Sequence, residues 1–102
     1  MIRVSVMYPK QAGGKFDYDY YLKTHMPLVK QRVGEALKRV EIFKGVGAPG
    51  GGQETYVTVA SLLFDSVDAF GKSFGPHAKE IMGDIPNFTN LQPIVQLEEQ
   101  LM

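Results

Sequence analysis

Thr55-Tyr56-Val57-Thr58-Val59-Ala60-Ser61-Leu62-Leu63-Phe64 is the stretch on which the fold turns. Its β-branched and aromatic content marks a strand over 55–64. Tyr56, Thr58, Ala60, Leu62 and Phe64 point to one side, and Val57, Val59, Ser61 and Leu63 to the other. Both sides are largely apolar, so the strand is expected to be covered on both faces.

Working outward, the glycine-rich run Gly45-Val46-Gly47-Ala48-Pro49-Gly50-Gly51-Gly52 reads as a loop joining this strand to an earlier one at 39–47. Downstream, Ser66 is placed to cap a helix holding Val67, Phe70 and Phe74, which Gly75-Pro76 interrupts. A further helical piece is expected over 77–82, a loop over 83–87 and a last strand over 91–98. At the start, residues 2–8 set Ile2, Val4, Val6 and Tyr8 on one strand face, and Pro9 ends the ladder. Residues 16–37 carry Leu22, Met26, Val29, Val33 and Leu37 at spacings of three and four, an amphipathic helix. The order βαββαβ predicts an α+β, ferredoxin-like domain spanning 1–102, a four-stranded antiparallel sheet with its helices on one face.

With 102 residues the chain is one domain and supplies two helical segments, which cover one sheet face only. The doubly apolar third strand then predicts a homodimer, two sheets packed face to face with the helices outside. A monomer with a few exposed valines is the simpler alternative. Eleven basic and eleven acidic residues cancel, which argues against nucleic acid or an anionic membrane as partner. No apolar run approaches a membrane span and the first residues do not read as a secretory leader, so a cytoplasmic protein is expected. With no cysteine, disulfides, thiolate metal sites and cysteine nucleophiles are excluded.

Chemistry concentrates around Pro27, which removes a helical hydrogen bond and is expected to kink or restart the helix. His25 sits at that break. Asp17, Tyr21 and His25 fall at four-residue spacing, a ladder of carboxylate, phenol and imidazole on one helix face. Such a ladder can fix one imidazole tautomer and leave the other nitrogen for a substrate. The same residues also admit a structural role, with His25 satisfying freed carbonyls and Asp17 capping the helix. His77 reads as a surface or capping residue, and the two histidines lack a metal-ligand spacing. The glycine loop has neither the Lys-Ser/Thr of a phosphate loop nor a following helix, so no cofactor or metal is expected. Among the aromatic residues, Tyr8, Phe70 and Phe88 are the candidates to line an apolar cleft between helices and sheet.

Tyr8-Pro9, the run Phe16-Asp17-Tyr18-Asp19-Tyr20-Tyr21-Leu22-Lys23-Thr24-His25-Met26-Pro27-Leu28 and Asp84-Ile85-Pro86-Asn87-Phe88 together resemble the EthD family of dimeric α/β barrels. The resemblance implies a ferredoxin-like protomer and a dimer whose two sheets form a barrel. Members are often labelled oxidoreductases, while related barrels include cofactor-independent monooxygenases, isomerases and decarboxylases. The shared theme is a small, mostly apolar molecule between sheet and helices, and the family motif falls on His25, with Tyr21 and Tyr8 beside it in role. No flavin or nicotinamide fingerprint accompanies that label here. The expectation is an enzyme with His25 as general acid or base; the alternative is a non-catalytic protein that binds or delivers a hydrophobic intermediate.

Overall fold

The structure, a computed structural model, describes residues 1–102. Four strands, β1 (Ile2–Pro9), β2 (Arg39–Lys44), β3 (Tyr56–Phe64) and β4 (Ile94–Glu99), form one antiparallel sheet in the order β2-β3-β1-β4. This is the expected ferredoxin-like α+β architecture. β1 ends with a register shift between Tyr8 and Pro9, where the proline has no N–H for the ladder. β2 stops at Lys44, short of the expected 47, with the Gly45 N–H still donating to the Val57 carbonyl at 2.9 Å. β4 begins only at Ile94, just after Pro93.

The first helix runs over 18–33 in three parts: α1 (Tyr18–Tyr20), a π turn (Tyr21–His25) and α2 (Met26–Val33). The expected break at Pro27 takes this gentler form. Pro27 cannot donate to Lys23, and the Met26 N–H instead reaches back five residues to the Tyr21 carbonyl. The wider turn rotates the face presented to the sheet. Tyr21, His25, Met26, Val29 and Val33 are buried, whereas Leu22, expected in the stripe, is 51% exposed. The helix ends before the expected 37, at Gly34, whose φ of 71° no other residue adopts as cheaply. α3 (Val67–Phe74) is capped by the Ser66 hydroxyl, which accepts from the Ala69 N–H at 3.0 Å. A short turn at Gly75-Pro76-His77 leads into α4 (Ala78–Gly83).

The core lies between these helices and one sheet face, where Val4, Tyr8, Leu62 and Phe64 pack against Tyr21, Met26, Val29, Val33 and Ile81. On the opposite face the register lays out three rows. Phe43, Val59, Met7 and Ile94 form an apolar row across all four strands. A polar row of Glu41, Ser61, Ser5 and Gln96 follows, then Arg39, Leu63, Arg3 and Glu98. No helix covers this face, and no helix of the chain is long and apolar enough to cross a membrane.

Candidate functional site

Two stretches distant in sequence are stitched together beside the π turn. Phe16 bridges to Thr89, the Asp17 N–H donates to the Phe88 carbonyl at 2.7 Å, and the Thr89 hydroxyl donates to the Lys15 carbonyl at 2.6 Å. The start of the first helix is pinned on its other side by Tyr18, whose hydroxyl donates to the Val57 carbonyl at 2.9 Å and lies 2.7 Å from Thr58 Oγ1. This stitching carries the 84–88 segment to the imidazole of His25.

His25 is 4% exposed, and its Nδ1 lies 2.9 Å from Asp84 Oδ2. Asp84 Oδ1 accepts from the Tyr20 hydroxyl at 2.7 Å and from the Asn87 side-chain amide at 2.8 Å. Burial drives Asp84 toward the neutral form, but these donors and His25 outweigh it and hold the carboxyl below its usual range. Burial also dominates at His25 and pushes its pKa down, against the opposing pull of Asp84. The pair is therefore a neutral imidazole on an ionised carboxylate. The imidazole packs in one cluster with two rings, near-parallel to Tyr21 at 5.6 Å and 14° and tilted against Phe88 at 4.6 Å.

Beside this pair lies an apolar cavity of about 220 Å³ between the sheet and the helices. Val4, Val6, Ala60 and Leu62 form its floor, Met26 and Val29 one wall, and Phe70, Phe74 and Ile81 the other. Among the residues that line it, only Tyr8, Tyr21 and His25 carry a side-chain nitrogen or oxygen. Met82 and Val95 line it as well, and both are substantially exposed, which marks its mouth.

The structure sorts the residues singled out from sequence. His25, Tyr21, Tyr8 and Phe70 all line the cavity. Asp17 does not serve His25: its Oδ1 accepts from the Tyr20 N–H at 3.1 Å, the helix N-cap bond, and the carboxylate at the imidazole is Asp84. The four-residue ladder assumed a regular helix, and the π turn removes that premise. Phe88, expected to line the cleft, is not among the cavity-lining residues; its ring packs 4.6 Å from the imidazole and 4.9 Å from Tyr21. Sequence reasoning missed Asp84, Tyr20 and Asn87 as partners of the site. The signals available were the Asp84-to-Asn87 spacing on a short turn and the place of both residues in a segment that carries the family resemblance. His77 makes no side-chain hydrogen bond, and no three His, Asp or Glu side chains gather as metal ligands.

Residues 15–92 match the family model described as the EthD domain. An EthD-like protein from Ralstonia eutropha is 36% identical, with a TM-score of 0.92 over 99% of this chain and 92% of its own. An ethyl tert-butyl ether D (EthD) family protein from Bacillus halodurans shares the fold at 15% identity, with a TM-score of 0.70 over 99% of both chains. A protein of Arabidopsis thaliana does so at 12% identity and a TM-score of 0.72, over 100% of this chain and 97% of its own. Comparison with curated proteins gives no match.

Proposed function

The chain belongs to the EthD family, and on that premise we propose that it binds a small apolar organic molecule in the cavity between sheet and helices, with His25 as general acid or base. The observation carrying this reading is the division of labour within one ring. Nδ1 is held by Asp84, while Nε2 has no protein partner and is not fully enclosed, on a ring that lines the cavity. An ionised carboxylate only accepts, so the shared proton sits on Nδ1 and the lone pair on Nε2. Nε2 can then take a proton from a bound molecule and return it to another atom, as in an enolisation or isomerisation, with Asp84 stabilising the transient imidazolium. A positioned base of this kind contributes roughly 10²- to 10⁴-fold, which suits an activated substrate in catabolic or oxidoreductive metabolism. The experiment is to incubate the protein and its His25→Ala variant with small aromatic and alicyclic ketones, following binding and conversion separately. Conversion by the native protein alone supports the enzyme. Binding without conversion by either supports a second reading, a binding or delivery protein, which the almost wholly apolar lining favours.

The reading includes a homodimer through the uncovered sheet face. Phe43 and Ile94 in its apolar row are half exposed, and the neighbouring Arg3–Glu98 and Arg39–Glu41 pairs leave it without excess charge. A face carrying both signs suits an isologous contact, in which the same patch meets itself.

A further inference from the structure

We propose that the hydroxyls of Tyr8 and Tyr21 clamp a single oxygen of the bound molecule, so that the ligand is a compact carbonyl or phenolate compound of about one ring. The proposal rests on the cavity reading above and adds what the cavity recognises. Four tyrosines surround the start of the first helix. The hydroxyls of Tyr18 and Tyr20 are satisfied, by Val57 and Thr58 and by Asp84. Those of Tyr8 and Tyr21 have no protein partner, although each residue is only 1% exposed.

A buried hydroxyl with no acceptor is costly, and folded proteins rarely keep two of them side by side. These two are not sealed in. The one enclosed side-chain nitrogen or oxygen without a partner is Ser61 Oγ, on the opposite sheet face. Both residues line the cavity, and it is the shared space onto which the two hydroxyls can open. Their rings stand 6.2 Å apart at 82°, one at the end of β1 and one at the head of the π turn.

The chemistry of the pair fixes what it accepts. Burial pushes both phenols well above their usual range, and a charge on Tyr8 would raise Tyr21 further. Both groups stay protonated and act as donors. His25 Nε2, the third polar group at the cavity, is an acceptor. Two donors and one acceptor in an otherwise apolar wall fit an oxygen that takes two hydrogen bonds, with a proton-bearing atom beside it. The size follows from the volume: about 150 Å³ of apolar cavity is enough for benzene, so about 220 Å³ admits one ring with a short substituent.

The test uses two molecules of one shape, acetophenone and α-methylstyrene, which differ by an oxygen in place of a CH₂. Each is titrated into the native protein, Tyr8→Phe, Tyr21→Phe and the double variant. The native protein is expected to prefer the ketone by about 10-fold or more, each single substitution to shrink that preference, and the double variant to invert it. The carbonyl stretch of bound acetophenone should fall below its value in hydrocarbon solvent and return to it in the double variant. Equal binding of the two molecules by the native protein, or an unmoved carbonyl band, overturns the clamp while leaving the cavity reading intact. If neither molecule binds, the cavity reading fails and the clamp with it. Each Phe removes only an unpartnered oxygen, so folding should survive; should a variant melt, the native carbonyl band decides alone.

Discussion

Nδ1 of His25 and Oδ2 of Asp84 stand 2.9 Å apart across 59 positions of sequence. Neither local propensity nor helical spacing brings them together. They meet because the strip before the first helix pairs with the strip before β4, through Phe16 and Thr89 and through Asp17 and Phe88. The two ends of the helical layer are thereby fastened at the place where the imidazole needs a carboxylate. Tyr20 and Asn87 hold that carboxylate from its other oxygen.

Asp84→Asn should flip the imidazole. A carboxamide turned so that its oxygen keeps the Tyr20 hydroxyl presents its NH₂ to Nδ1, which then accepts, and the ring proton moves to Nε2. Any turnover that depends on Nε2 as base should fall roughly 10²- to 10⁴-fold, with a folding cost of about 1–3 kcal/mol for the disturbed buried network. Long-range ¹H–¹⁵N spectra of the ring report the tautomer directly. A native ring already protonated on Nε2 would sink the assignment.

Asp17→Ala should behave differently. Its carboxylate caps the first helix through the Tyr20 N–H, so its loss is expected to cost about 1 kcal/mol of stability. The His25 tautomer and ligand affinity should not change. A melting curve together with the same ring spectrum separates the two aspartates. A tautomer shift in this variant would restore Asp17 as the partner of His25.

The contrast between these aspartates shows what was legible in the sequence. The third strand could be read because a period of two needs only the residues of one segment, and the same holds for the Ile2-to-Tyr8 face and the Ser66 cap. His25 and Tyr21 were legible through the proline break. The choice of carboxylate was not. Helical arithmetic assumes a constant 3.6 residues per turn, and the π turn at Tyr21–His25 breaks it, turning Leu22 outward. Asp84 reaches the site only through tertiary pairing, which no local pattern encodes.

Acid should weaken the fold in two separate steps. The unfolded chain protonates His25 near pH ~6.5, whereas burial holds the folded imidazole neutral to lower pH. Between those values the unfolded state binds more protons, so stability is full above pH ~6.5 and falls as pH drops, by at most about 1.4 kcal/mol per pH unit for one group. Asp84, lowered in the folded state, contributes stability above its unfolded value near pH ~4 and loses it below. Urea midpoints followed from neutral to acid pH should show both steps, and His25→Gln should remove the upper one. An unchanged upper step would mean that another group titrates there.

Ala60→Leu should close the cavity without breaking the fold. Ala60 is buried on the helix-facing side of β3 and lines the cavity floor. Filling a void usually contributes about 0.5–2 kcal/mol, so the melting temperature should hold or rise. Binding of any ring-sized ligand should weaken by about 10-fold or more as its place is taken. A destabilised variant that still binds would show that ligands use another surface.

Val59→Lys tests the sheet face. Val59 stands mid-row between Phe43 on β2 and Met7 on β1, with Ile94 beyond, on the side no helix covers. In a monomer a lysine there projects into water and changes stability by no more than about 0.5 kcal/mol. In a face-to-face dimer it faces the same row of its partner and buries a charge without a counterion, which costs several kcal/mol. Sedimentation should therefore give twice the chain mass for the native protein and the single chain mass for the variant, with the β-sheet signal retained. A native protein that sediments as one chain at micromolar concentration removes the dimer, and leaves the apolar row as ordinary exposed surface. The cavity opens on the other side of the sheet, so ligand binding by the monomeric variant should persist, which separates assembly from recognition in a single protein.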